Sequence, residues 1–282
     1  MIKANYKDWT ATTERCEEIL APEPVNRMLA MLDTRQQAFH VGDALPPLWH
    51  WLYFLPAVVQ SEIGDDGHPQ RGGFLPPVDL PQRMFAGSKL LVHEPLTVGQ
   101  TALREAEVID ITEKTGSTGQ LVFVSLRYRV YQQSRLCVEE EQRIVYRHAS
   151  EVIAAPALGE FEATPPGATA RIVVPDPVLL FRFSALTFNS HRIHYDRPYA
   201  TDVAGYPGLI VQAPLIAILL AELIRSSMQR QLKALEFRAL APLFDTGPVQ
   251  LVAIPDGAST LQLEARRHDL TLAMQGTAQL IK

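Results

Sequence analysis

The most unusual segment of the chain is Phe181–Tyr199, FRFSALTFNSHRIHYDRPY, which places Asn189, His191, Arg192, His194, Tyr195 and Asp196 within eight positions. These side chains donate or accept protons and hydrogen bonds. Two of the eight histidines lie here three residues apart, ahead of a Gly- and Pro-rich YPGL turn. Histidine is the commonest acid and base near neutral pH, so the expected chemistry is proton transfer, and the expected setting is a loop at the mouth of a cleft. The alternative is that His191 and His194 only satisfy backbone groups in an irregular loop.

Such a loop needs rigid elements behind it. The turn opens onto residues 203–221, the longest uncharged stretch, whose two prolines, two glycines and glutamine are wrong for a membrane span. From about Pro214 to Leu232 the pattern predicts a buried helix, apolar on nearly every side through Leu215, Ile216, Ile218, Leu219, Leu220, Leu223 and Ile224. Four strand-like segments follow: LKALEFRAL, GPVQLVAIPDG, STLQLEARRHD and LTLAMQGTAQLI. The first half carries a similar set: KLLVHEPL (89–96), TALREAEVIDIT (101–112), QLVFVSLRYRVYQ (120–132) and LCVEEEQRIVYR (136–147). Its helical cover is expected from VNRMLAMLD and from the WHWLYFLP region. Residues 149–168, rich in Ala, Pro and Glu, read as a linker between a domain at 1–148 and a domain at 169–282. A sheet with one buried face needs a covering layer, so a helix followed by an antiparallel meander is expected twice, an α+β arrangement.

Composition removes several classes of function. With 31 acidic and 26 basic residues, a net charge of -5 and no Lys/Arg run, the chain has no electrostatic footprint for nucleic acid or an anionic membrane. Cys16 and Cys137 are far apart and fit neither a disulfide framework nor a zinc cluster. The first eighteen residues have no apolar h-region, so a cytoplasmic location is expected.

The run S-x-x-T-x-N-x-H-x-I-H-Y-D, followed by Y-P-G-L, Pro-Leu and an apolar helix, resembles the MaoC-like hydratases, specifically their double hot dog branch. In that superfamily a D-x-N-P-x-H loop supplies a catalytic Asp and His, and the substrate is an enoyl thioester of coenzyme A. By this resemblance His194 falls on the family's histidine, Asn189 on its aspartate and His191 on its asparagine. PPLWHWLYF (46–54), GHPQRGGFLPP (67–77), RMFAGSKL (83–90) and FRALAPLFDTGP (237–248) narrow it to the itaconyl-CoA and mesaconyl-C4-CoA hydratases. The implied fold is two hot dog domains in one chain, and the implied reaction is addition of water to a branched C5 dicarboxylic enoyl-CoA. Coenzyme A then enters as part of the substrate, with no metal or redox cofactor. The first domain would supply coenzyme A contacts and the acyl pocket.

Within that resemblance, Asn189 cannot accept a proton and is expected to orient water while His194 acts as the base. Asp196 is the second candidate for that base. At the helix entrance Gln212-Ala213 replaces the family's His-Gly; Ala213 keeps the N–H that would polarise the thioester carbonyl, although a methyl group narrows the approach. His191 and Tyr195 are expected to line the substrate site. Arg83 or Arg192 would face the free carboxylate, and Arg71 in the Gly-rich DDGHPQRGG stretch would line the coenzyme A tunnel unless that stretch is only a surface turn. Trp49, Trp51 and Phe54 fit either an adenine or acyl pocket or the core. The rival readings are a dehydratase of carrier-bound 3-hydroxyacyl thioesters, a hot dog thioesterase and a non-catalytic acyl-CoA binder. Exposed sheet edges make a homodimer the expected assembly.

Overall fold

Alternation in 120–132 puts Val122, Val124, Leu126 and Val130 on one face and buries each of them, which makes this segment a central strand. In the computed structural model, which describes residues 6–34, 37–116, 119–148, 153–157, 159–161 and 163–281, it is one of ten strands in a single sheet. The first half contains β1 (Thr13–Ile19), α1 (Pro22–Met31), β2 (Gln82–Val92), β3 (Thr101–Gly116), β4 (Gly119–Gln132) and β5 (Arg135–Arg147). The second contains β6 (Thr169–Val173), α2 (Pro177–Leu186), α3 (Ala213–Glu222), β7 (Leu232–Ala239), β8 (Val249–Pro255), β9 (Thr260–Arg267) and β10 (Leu272–Leu280).

The sheet order is β1-β3-β4-β5-β2-β7-β10-β9-β8-β6, with every ladder antiparallel. Written outward from the centre, the second half repeats the order of the first strand for strand. This is a double hot dog fold, joined where β2 pairs with β7. The join is close: a Cβ on Gly87 would sit 2.3 Å from the Phe237 carbonyl oxygen.

Several local expectations change. Neither half is a simple meander, because the strand after each helix (β2, β7) lies beside the last strand of its half (β5, β10) and not beside the next in sequence. The strand expected at 89–96 starts at Gln82 and ends at Val92, since a bulge between Phe85 and Gly87 disturbs the alternation that would have revealed its beginning. β1 and β6 are additional edge strands; β1 reads TERCEEI and its charges hide the strand pattern. The WHWLYF stretch forms only a 3-10 turn at Trp49–Leu52, entered through Leu48 at a φ of 72°. Trp49 and Phe54 are buried in the main core, and Trp51 packs against it. The described residues of the 149–168 stretch form no helix or strand, while 149–152, 158 and 162 lie outside the described residues.

α3 is shorter than expected, passing into a π-turn at Leu223–Ser227 before β7 begins. Leu215 to Ile224 are all buried, and α3 packs against β7, β8 and β9. Such burial explains why the segment has no polar face. α2 was not anticipated as a helix. Asp176 caps it by accepting from Leu179 N at 2.8 Å, and Pro177 occupies its first turn. Among the described residues, no helix is long and apolar enough to cross a membrane.

Candidate active site

The loop between α2 and α3 begins with Phe188 at a φ of 50° and Asn189 N bonded to Ser184 O at 2.8 Å, so the end of α2 sets its direction. Asn189 Oδ1 accepts from His191 N at 3.1 Å, an Asx turn that leaves the amide nitrogen without a partner among the described residues. A short 3-10 turn, Arg192–His194, then carries His194 inward, where it is 8% exposed.

His194 Nδ1 lies 2.7 Å from the carbonyl oxygen of Ile210. A carbonyl only accepts, so Nδ1 carries the proton and Nε2 presents its lone pair. Burial pushes the His194 pKa down to about 4, against the raising effect of the Ile210 hydrogen bond and with a further push from His68. The ring is therefore neutral near pH 7, as a base must be. Ile210 is held by a bridge to Phe244, and Val211 N bonds to Leu243 O at 2.9 Å. The FRALAPLFDTGP segment thus fixes the carbonyl that fixes His194.

Three residues beyond Ile210, α3 begins. Gln212 is buried, donating from Nε2 to Leu180 O at 3.0 Å and to Ser184 Oγ at 2.9 Å, so it ties α3 to α2. Its Oε1 is buried without a partner among the described residues. The Ala213 N–H makes no hydrogen bond among the described residues. It stands at the positive end of the helix, where a developing oxyanion is stabilised.

The first half adds two side chains. The Gly-rich turn docks on the loop: Arg192 N donates to Asp66 O at 2.9 Å, and Ser190 Oγ donates to Gly67 O at 2.5 Å. Gly67 has a φ of +87°, and a Cβ there would lie 1.8 Å from Ser190 O. The docked turn presents Asp66, which accepts from His68 N at 2.9 Å and from His68 Nδ1 at 3.0 Å. The His68 ring centroid is 3.8 Å from that of His191, and His191 is 5.3 Å from His194, edge to face. Burial lowers the pKa of His68, opposed by Asp66 and aided by Arg83 and Arg71. It also lowers that of His191, aided by His68 and His194. Asp66 is held below the usual carboxylate range, because hydrogen bonds from His68 outweigh burial. Ligand atoms of Asp66, His68 and His191 lie within 4.8 Å of one another, near enough to gather a cation. The Asp66–His68 hydrogen bond and the close, tilted packing of the two rings, at 38° to one another, account for that closeness without one.

Residues 48–245 match the family model for hydroxyacyl-thioester dehydratase type 2. The chain belongs to the hydroxyacyl-thioester dehydratase type 2 family. It is 48% identical over 282 residues to the mesaconyl-C(4)-CoA hydratase of Chloroflexus aurantiacus, covering 99% of each chain. Among solved structures it resembles HtdX of Mycobacterium tuberculosis, with a TM-score of 0.67 at 16% identity over 95% of this chain and 100% of that one. It also resembles a conserved M. tuberculosis protein described as a double hotdog fold, with a TM-score of 0.58 at 15% identity over 96% of each chain.

In this member of the dehydratase family, five residues expected at the substrate face other partners. Asp196 accepts from Arg192 Nε at 2.9 Å and from Tyr199 N at 3.2 Å, and so anchors the loop. Arg192 also donates to Asp65 O at 3.0 Å and lies 4.3 Å from the Tyr199 ring, so its guanidinium is committed at the surface. Tyr195 is exposed, and its hydroxyl closes the loop on Ser190 O at 3.0 Å. Arg71 donates to the carbonyls of Val78, Leu80 and Pro81, bracing its own loop. Gln212, similarly, spends its amide nitrogen on α2. His194 and His191 are brought together, with ring centroids 5.3 Å apart, whereas Arg83 lies on β2 opposite Tyr146, and its charge works to lower the pKa of both His68 and His191. Asp66 and His68 were not singled out from the sequence. The only signal was a D-x-H spacing inside a turn that read as glycine-rich backbone.

Proposed function

We propose that this protein adds water across the double bond of mesaconyl-C4-CoA, a branched C5 dicarboxylic enoyl thioester. The observation that carries the proposal is His194, a buried neutral imidazole whose Nδ1–H is spent on Ile210 and whose Nε2 is left as acceptor. The 48% identity to a hydratase of that name, over nearly all of both chains, supports the choice of substrate.

In this reading the water oxygen bonds to the β carbon, the one that bears the methyl and the carboxylate, as His194 Nε2 takes a proton from the water. The π electrons move toward the thioester, and the negative charge on its oxygen is met by the Ala213 N–H at the start of α3. His194 then returns the proton to the α carbon, giving addition to one face. Asn189 holds the water with its free amide nitrogen, a role that needs no change of protonation. Nothing in these steps calls for a metal or a redox cofactor. Dehydration of a 3-hydroxyacyl thioester, the reaction in the family's description, is the same chemistry reversed.

The test is a spectrophotometric assay of purified protein with mesaconyl-C4-CoA, itaconyl-CoA, crotonyl-CoA and a longer straight-chain enoyl-CoA, with free thiol followed in parallel. Loss of the conjugated double bond without thiol release, fastest with mesaconyl-C4-CoA, is expected. Thiol release, or binding without turnover, would replace the proposal with a thioesterase or a binding protein.

A further inference from the structure

The His194 ring is held by one hydrogen bond, from Nδ1 to Ile210 O at 2.7 Å. A single bond of this kind leaves an imidazole free to swing about the N–H···O line, and the torsion that turns the ring is itself broad. The plane of the ring, and with it the aim of Nε2, has to be set by what packs against it. Among the described residues the ring that does so is His191, at a centroid distance of 5.3 Å and an interplanar angle of 88°. The His191 ring makes no hydrogen bond of its own among the described residues, and its other ring neighbour is His68, at 3.8 Å.

His68 is fixed more firmly than either. Both oxygens of Asp66 hold it, one accepting from its backbone N at 2.9 Å and the other from Nδ1 at 3.0 Å, so Nδ1 carries the proton. The turn that bears this pair is anchored at the two residues flanking His191: Ser190 Oγ donates to Gly67 O, and Arg192 N donates to Asp66 O. The three rings thus form a row that starts at a carboxylate of the first half and ends at the His194 imidazole of the second. We propose that Asp66 and His68 are positioning residues for the base, the first half of the chain setting the plane of the His194 ring through His191. The inference rests on the hydration reading, in which His194 is that base. The charged groups about the row are Asp66, Arg71 and Arg83. Burial lowers the pKa of all three imidazoles, so the rings pack without like-charge repulsion near pH 7.

Kinetics of the full-length protein with mesaconyl-C4-CoA separate positioning from folding and from binding. His68→Ala is expected to lower kcat at least about tenfold with KM within about twofold, since a misaimed base slows the chemistry and leaves thioester binding alone. The gap also admits water to His194, so the acidic limb of kcat/KM, set by a pKa of about 4 in the wild type, should rise by about one unit or more toward the ordinary histidine value. His68→Phe, which keeps a flat ring against His191, should restore most of kcat and the low limb. Asp66→Ala, which frees the His68 ring to turn, should show the same defects in weaker form, and the double variant Asp66→Ala/His68→Ala should be no slower than His68→Ala alone. A folded His68→Ala protein with wild-type kcat and an unmoved limb would overturn the inference. So would a loss of kcat that His68→Phe fails to restore, which would make His68 a group acting on the substrate itself. Nitrogen NMR of the imidazoles reads the His194 pKa without turnover. If the wild type hydrates nothing, the reading beneath falls, while a raised His194 pKa in His68→Ala still supports the positioning and an unchanged one overturns it.

Discussion

The carbonyl oxygen of Ile210 lies 2.7 Å from His194 Nδ1, and this contact decides which ring nitrogen is left as an acceptor. Because Ile210 precedes α3 by only three residues, the same stretch of backbone sets both the base and the oxyanion donor of the proposed mechanism.

In the proposed mechanism, protonation of His194 removes the base. With its pKa pushed down to about 4 by burial, the neutral form dominates above that value and is lost as pH falls through it. Under this account log(kcat/KM) for hydration is flat from pH 8 to about pH 5.5 and then falls with a slope near one per unit. A pH–rate series measures this, and an acidic limb centred near the ordinary histidine value of about 6.5 would contradict it.

Gly67 permits the docking of the first half on the loop that carries His194. An added Cβ would strike the Ser190 carbonyl at 1.8 Å, on a backbone of φ +87° that side chains seldom adopt. Gly67→Ala is expected to cost about 1–3 kcal/mol of stability and to lower kcat/KM at least about tenfold by displacing Asp66 and His68. Urea denaturation and steady-state kinetics check the two effects; normal values of both would show that the docked turn is incidental.

Glu140 is the most deeply buried carboxylate of the first half, at 1% exposure. It accepts from Ser88 Oγ at 2.6 Å, Trp51 Nε1 at 2.9 Å and Gln142 Nε2 at 3.0 Å, and it pairs with His50 Nε2 at 3.0 Å. Burial works to raise its pKa, and the hydrogen bonds of His50, Ser88 and Trp51 bring it below the ordinary value. Removing the carboxylate leaves these donors buried without an acceptor. Glu140→Ala should therefore destabilise the protein by about 3 kcal/mol, read as a lowered urea midpoint at unchanged slope.

Much of this architecture could be read from the chain because burial writes itself into spacing. Alternation announced β4 and its neighbours, an all-apolar run announced α3, and the clustering of Asn189, His191 and His194 announced the loop. Where burial is absent the pattern fades: β1 is a charged edge strand, and α2 exposes Val178 and Phe181 beside buried Leu180 and Phe183, so its apolar residues mark no single face. The order of strands was hidden for another reason, since a local pattern cannot say that β2 crosses to lie beside β5. The same limit concealed Asp66 and His68, whose turn meets the loop across 123 positions of sequence. Arg192 and Asp196 looked available because spacing shows which groups are near the chemistry and not which have already paired with each other.

The most direct test of the central claim is the rate of hydration of mesaconyl-C4-CoA by His194→Ala, beside wild type, with folding checked by circular dichroism and thioester binding by calorimetry. A general base contributes about 10²–10⁴-fold, so a folded variant that binds thioester and hydrates at least about a hundredfold more slowly is the predicted result. A folded His194→Ala protein that turns over at the wild-type rate would contradict the account.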